Sequence, residues 1–152
     1  MDFKDRGENG MKFNMTTDYA LRVVLHLSLF PFGTKITGAE LAQAQMIPES
    51  FLLKIMRHLT GSHIIQSHRG PAGGFSLGRP AEQITLFDVV EAIEGDLFFA
   101  NIDDCVVKQT DNVCAVRHVF YDIQKSFSKE LSAVNFAVLA KREVLFRRGH
   151  RK

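Results

Sequence analysis

The feature that most constrains the fold is a glycine-rich stretch at residues 67–80, SHRGPAGGFSLGRP. It contains four glycines and two prolines together with basic residues, and it has no acidic residue. Short segments of strand character, HIIQSH and GFSLGRP, lie on either side of RGPAGG. This arrangement predicts a β-hairpin whose loop is longer than the tightest hairpin turns.

Three helices are predicted before this hairpin. Thr37 and Glu40 form a capping-box pattern at the start of the second helix. Pro48 suits the first turn of the third helix, which ends near Gly61. The first and third helices each have one apolar face with helical spacing. These faces are Ala20, Val23, Val24 and Leu27 in the first helix and Leu52, Ile55, Met56 and Leu59 in the third.

Two more helices are predicted after the hairpin. Thr85 and Asp88 indicate a capped helix that stops at Gly95. A long helix then begins at about Ala115, and its apolar residues recur every three or four positions, which is close to coiled-coil spacing. The residues of this apolar seam are Val116, Phe120, Ile123, Phe127, Leu131, Val134 and Val138.

The order of these elements predicts a mainly α fold with a small β-hairpin. It is the order of a winged helix-turn-helix domain, here followed by a long C-terminal helix. The apolar seam favours a homodimer through that helix, because so much apolar surface needs a partner; the alternative is that the seam packs on its own domain. The predicted ranges are a leader or remnant at 1–10, the winged helix-turn-helix at 11–95, a cysteine-containing loop at 96–113, the dimerisation helix at 114–140 and a basic tail at 141–152.

Charge is distributed unevenly along the chain. The 152 residues carry a net charge of only +2, yet no Asp or Glu occurs between Ser50 and Ala81. The cations Lys54, Arg57, Arg69 and Arg79 lie in that window. Such a cluster is typical of a phosphate-binding surface, and the alternative is an ordinary solvated basic face.

The third helix and the hairpin therefore provide the candidate contacts to double-stranded DNA. In a helix-turn-helix, the recognition helix enters the major groove, and a wing reaches the backbone or the minor groove beside it. Glycines in the wing allow its backbone to approach phosphates closely. The alternative is that these residues are ordinary solvent-facing positions. The candidates are Pro48, Glu49, Ser50, Phe51, Lys54 and Arg57 in the helix and Arg69, Gly70, Gly73 and Gly74 in the wing.

Four segments resemble the Rrf2 family of bacterial winged-helix regulators. They are MTTDYALRVVLHL, IPESFLLKIMRHL, RGPAGGFSLGRPAEQITLFDVVEAIEG and CAVRHVFYDI, and the resemblance covers about residues 11–140. It implies a dimeric DNA-binding transcriptional regulator in which the long C-terminal helices cross. Two winged heads would then lie on one palindromic operator, and we expect a repressor.

The resemblance also implies a candidate iron–sulfur site, because sensor members hold a cluster with three cysteines before the long helix. Cys114 matches the last of the three, whereas Cys105 is displaced from the other two positions. Three interpretations stay open: a cluster bound with noncysteine ligands, a thiol redox switch and no chemistry at all. The candidate ligands are Cys105, Cys114, Asp18 and His118.

Other function classes find little support in the sequence. No segment has the ~20 consecutive apolar residues of a membrane span, and we expect a cytoplasmic protein. No glycine-rich nucleotide loop of known spacing and no coherent nucleophile–base set is present, so we do not expect an enzyme.

Overall fold

The computed structural model describes residues 14–95 and 115–149. These residues form a mainly helical fold with one small antiparallel sheet, as predicted. No helix within the two ranges is both long and apolar enough to span a bilayer. The predicted leader and the cysteine-containing loop lie outside the described residues. The elements are α1 (Met15–Ser28), α2 (Gly38–Gln45), α3 (Glu49–Gly61), β1 (Ile65–His68), β2 (Gly74–Leu77), a short 3-10 turn (Ala81–Gln83), α4 (Leu86–Glu94), α5 (Ala115–Ser132) and α6 (Phe136–Gly149).

The predicted capping boxes are both present. In each box a threonine hydroxyl accepts the amide N–H three residues later, and the acidic side chain at that position accepts the threonine amide. The amide of Thr37 donates to Glu40 at 2.8 Å, and the amide of Thr85 donates to Asp88 at 2.7 Å. The hydrogen bonds from Thr37 lower the pKa of the Glu40 carboxyl. These local bonds define where α2 and α4 begin.

The core lies between α1, α3, α4 and the hairpin. The predicted apolar faces of α1 and α3 are buried in it, which confirms the helical periodicity. At one edge of the core, Glu94 accepts hydrogen bonds from Asn14 Nδ2 at 2.6 Å and from the Thr17 hydroxyl. The start of α1 is thereby joined to the end of α4.

The hairpin is anchored to the helical part through Ile36. Strands β1 and β2 pair from Ile65 with Leu77 to His68 with Gly74. On the outer edge of β2, Ile36 and Phe75 exchange two backbone hydrogen bonds, of 2.9 and 2.8 Å. The segment just before α2 therefore adds a third, strand-like edge to the sheet and fixes its position beside the helix-turn-helix.

The prediction of one uninterrupted C-terminal helix is wrong. The chain leaves α5 after Ser132, and Asn135 caps α6 by accepting the amide of Val138 at 3.0 Å. Backbone bonds of 2.9 Å from Leu86 to Val134 and from Phe136 to Ile84 hold the break against the start of α4. The apolar seam is consequently divided, because Val134 lies in the break and Val138 lies in α6. Helix α6 also extends to Gly149, beyond the predicted boundary at residue 140.

Helix α6 packs back against α1, and its far end lies near His26. The His26 ring contacts Phe30 edge-on at 5.4 Å, and its Nδ1 is a buried atom without a hydrogen-bond partner among the described residues. Burial lowers the pKa of His26, and the positive charge of Arg147 lowers this pKa further. His26 is thus a neutral packing residue of this contact at pH 7.

Candidate nucleic-acid interface

The turn between α2 and α3 is held from α1. Met46 ends α2 in the left-handed conformation, with φ of 52°, and redirects the chain toward Pro48. Arg22 donates from Nη2 to the carbonyl of Gln45 at the end of α2. The same guanidinium lies 5.7 Å above the ring of Tyr19, and that ring meets Phe51 of α3 edge-on at 6.5 Å. These contacts fix the direction in which α3 leaves the turn.

Helix α3 presents its predicted polar face to solvent. Pro48 precedes the helix and supplies no side-chain cap, so the first-turn amides can donate hydrogen bonds to an acceptor outside the chain. One exposed residue was missed by the sequence analysis: Leu53 is 54% exposed. Its position outside the apolar stripe of α3 is the signal that could have identified it. The exposed predicted residues are Pro48, Glu49, Ser50, Phe51, Lys54 and Arg57.

Two glycines of the wing, Gly73 and Gly74, have a structural role that the sequence pattern did not indicate. A Cβ on Gly73 would lie 2.5 Å from the carbonyl oxygen of His68, and one on Gly74 would lie 2.6 Å from that of Ile36. Gly74 also has φ of +151°. Gly70 has φ of +98°, but a Cβ there would meet nothing within 4 Å. The loop therefore requires glycine at 73 and 74 for its own closure, whatever it binds.

The wing projects Arg69 at its exposed tip, directly after β1. Below the tip, His68 Nε2 and the hydroxyl of Ser76 lie 2.9 Å apart across the hairpin. The Ser76 side chain is buried, and this bond joins the two strands close to the tip of the wing. Arg69 is thus carried by a braced hairpin rather than by a loose loop.

The cations near this face differ in their partners. Arg79 pairs with Asp88 at 3.2 Å, although it lies in the acid-free window of the sequence. Within the two described ranges, no carboxylate forms an ion pair with Lys54, Arg57 or Arg69. These three cations lie on α3 and the neighbouring wing, where they can bind an external anion.

A groove separates α3 from the wing. Its volume is about 400 Å³, and it is open to solvent on one side. Its apolar lining residues include Leu53, Met56 and Phe75. The polar residues along it are Arg57, Thr60 and Ser67.

The predicted metal ligands are not brought together in the described residues. Asp18 lies at the start of α1 and forms a 3.7 Å ion pair with Arg22, while His118 is exposed on α5. Cys105 and Cys114 lie outside the described residues. Within residues 14–95 and 115–149, no group of three or more His, Cys, Asp or Glu side chains could hold a metal ion. The described donors therefore do not fit a cluster by themselves.

Comparison with known families identifies the chain. The model of the Rrf2 family, described as "Iron-dependent Transcriptional regulator", matches residues 13–142. The chain belongs to the Rrf2 family. The resemblance seen in the sequence is confirmed, and relatives of the chain are named as transcriptional regulators.

The relatives of this Rrf2 chain include other regulators of the helix-turn-helix type. One from Aquifex aeolicus (strain VF5) is 31% identical over 120 residues, covering 75% of this chain and 81% of the relative. One from Mycobacterium tuberculosis (strain ATCC 25618 / H37Rv) is 37% identical over 87 residues, covering 57% of this chain and 54% of the relative. The match thus spans about half the length of the Mycobacterium relative.

Solved structures share the fold. IscR of T. potens superposes with a TM-score of 0.71 at 21% identity, covering 88% of this chain and 89% of the other. CymR, the global cysteine regulator of B. subtilis, gives a TM-score of 0.68 at 22% identity, covering 88% and 98%. At this identity the similarity establishes the winged-helix fold.

The geometry of the wing predicts unequal effects of alanine at two glycines. We expect Gly74→Ala to reduce the free energy of unfolding by about 2–4 kcal/mol, because it combines a positive φ with a clash against rigid backbone. Gly70→Ala is the matched control and should cost about 1 kcal/mol, because only the φ is unfavourable. Chemical denaturation of both variants measures the difference, and equal losses would contradict the role of the Ile36 contact.

Proposed function

We propose that this Rrf2 protein is a repressor that binds a palindromic DNA operator as a homodimer. The observation that carries the proposal is the placement of Lys54, Arg57 and Arg69 on α3 and the adjacent wing, where no carboxylate of the described residues pairs with them. A surface on which these three cations outnumber the exposed carboxylate of Glu49 attracts a polyanion such as duplex DNA. A regulator that acts on bacterial DNA works in the cytoplasm.

The shape of this face supports different roles in DNA binding for α3 and for the wing. An α-helix fits the major groove, where base edges present distinct donor and acceptor patterns. The first residues of α3 lie beside the turn, at the end of a recognition helix that meets base edges. We therefore propose that Ser50 and Lys54 contact bases or adjacent phosphates. The wing tip then places Arg69 at the next minor groove or at its phosphates.

The homodimer is supported by the exposed apolar surface of α5. Val116, Val119, Phe120 and Ile123 are large, exposed and spaced so that they share one face of the helix. An exposed apolar stripe of this kind is a typical interaction surface. Pairing α5 with its copy buries the stripe on both chains and gives a two-fold axis, which a palindromic operator matches. A dimer bound in this way would repress by occupying the promoter.

Salt dependence tests the proposed DNA contacts. We expect Lys54→Ala and Arg69→Ala each to flatten the slope of log affinity against log salt by about two, because each removes one phosphate contact from both protomers of the dimer. The measurement is a salt titration of binding to a duplex selected from a randomised pool by the full chain. Lys129→Ala, an exposed change on α5, is the control and should leave the slope unchanged. Unaltered slopes for Lys54→Ala and Arg69→Ala would contradict their assignment.

Sedimentation velocity tests the proposed dimer. We expect Ile123→Glu to shift the chain from dimer to monomer, because a carboxylate would be buried without a partner in the paired stripe. Lys125→Glu introduces the same side chain on the opposite face of α5 and should remain dimeric. If both variants sediment as the unaltered chain does, α5 is not the dimer interface.

A second candidate function is iron–sulfur or redox sensing through Cys105 and Cys114. The description of the family model as iron-dependent favours it, whereas the described ligands Asp18 and His118 add no assembled site. A bound cluster would give a brown protein with visible absorption and stoichiometric iron after purification without oxygen, and Cys114→Ser would remove both. A colourless chain with background iron would exclude the cluster.

A further inference from the structure

We propose that Leu53 recognises the C5-methyl group of a thymine in the major groove, and that this contact selects T at one position of each operator half-site. The inference rests on the proposed function, because it assigns a base-recognising role to one side chain of the helix that is proposed to enter the major groove. Leu53 lies in the first half of that helix, α3 (Glu49–Gly61).

The first argument is the contrast between Leu53 and the other apolar residues of α3. Leu53 is 54% exposed, and among the described residues it belongs neither to the buried core nor to the partly buried side chains packed against it. Phe51 is also exposed, but its ring meets Tyr19 edge-on and braces α3 against α1. The core of the domain therefore does not need a leucine at position 53. The buried apolar residues of α3 are Leu52, Ile55, Met56 and Leu59.

The second argument is the face of α3 on which Leu53 lies. Leu53 shares this face with three exposed polar residues, since the four positions have the spacing i, i+3, i+4 and i+7. The cations of the face attract the duplex, and Leu53 is carried toward the bases with them. The polar residues of the face are Ser50, Lys54 and Arg57.

The third argument is the chemistry of the side chain. Leucine can neither donate nor accept a hydrogen bond, so Leu53 can bind neither a phosphate nor the donor and acceptor groups of a base. The major-groove edges of the four bases carry one methyl group, that of thymine. Deoxyribose is also apolar, but it is common to all four nucleotides and lies along the backbone. Because the first turns of a recognition helix meet base edges, the thymine methyl group is the partner that suits Leu53.

The fourth argument is that the position of Leu53 is fixed before DNA binds. Helix α3 is anchored in the core, and Arg22 holds the carbonyl of Gln45 just before the turn. On the side of the wing, Leu53 lines the groove that Phe75 also lines. A contact carried by a rigid helix has little ordering cost, so burial of the methyl group should appear in the affinity. One methyl group contributes about fourfold, and two half-sites together contribute about fifteenfold.

Deoxyuridine substitution tests the assignment, because it removes the thymine methyl group and leaves base pairing and the backbone unchanged. A duplex selected from a randomised pool by the full chain is prepared with deoxyuridine at one thymine position at a time, in both half-sites. We expect one position at which the unaltered chain loses about fifteenfold in affinity. The same substitution should cause no further loss with Leu53→Ala. If no thymine position distinguishes the two proteins in this way, the assignment is wrong.

Leu145→Ala is the matched control, because Leu145 is a leucine of α6 that is 67% exposed and lies outside the proposed DNA surface. It should respond to deoxyuridine as the unaltered chain does. Thermal unfolding of both variants checks that the fold is retained, as we expect for side chains outside the core. A selection repeated with Leu53→Ala should no longer favour thymine at the position concerned. Loss of the methyl dependence in both variants, or an undiminished preference for thymine with Leu53→Ala, would overturn the proposal.

The two levels of the proposal fail in different ways. If the full chain enriches no duplex from the pool, the proposed DNA-binding function itself is wrong. If a duplex is enriched but deoxyuridine affects the unaltered chain and Leu53→Ala equally, only the role of Leu53 is wrong.

Discussion

The backbone pairing of Ile36 with Phe75 is the constraint on which the interface depends. It joins the segment before α2 to the outer strand of the wing through two backbone hydrogen bonds. Because α2 leads through a tight turn into α3, the same pairing sets the distance between α3 and the wing. Gly74 makes the close approach possible, since any side chain there would meet the Ile36 carbonyl. The groove and the separation of Arg57 from Arg69 both follow from this contact.

A second contact sets where the C-terminal helices leave the winged domain. Asn135 and Phe136 cross the start of α4. Backbone hydrogen bonds to Ile84 and Leu86 hold the chain there, together with the fully buried Phe136 ring. Helix α6 then returns to α1 and covers its far end. Helix α5 packs beside α4, and its stripe of Val116, Val119, Phe120 and Ile123 is exposed. The break at residues 133–135 thus separates the helix that carries this stripe from the helix that packs on α1.

The parts of the fold that the sequence predicted correctly are governed by local interactions. Capping boxes and apolar faces depend on residues three or four positions apart, so Thr37, Thr85 and the core face of α3 could be assigned without a structure. The break after Ser132 depends on a contact with Ile84, about 50 residues earlier in the chain. Apolar periodicity alone does not indicate this break and therefore predicts one continuous helix. The groove and the steric requirement for glycine at positions 73 and 74 were not predicted, for the same reason. Each depends on contacts between elements that are distant in the chain or across a loop.

The structure also separates cations that the sequence placed in one class. The acid-free window contains Lys54, Arg57, Arg69 and Arg79, and nothing in that window distinguishes them. Asp88 lies outside the window but folds against it and engages Arg79, which becomes part of the attachment of α4. The remaining three cations keep their charge directed to solvent from α3 and the wing. A phosphate surface is therefore defined less by how many basic residues a segment has than by which of them the fold leaves without a carboxylate.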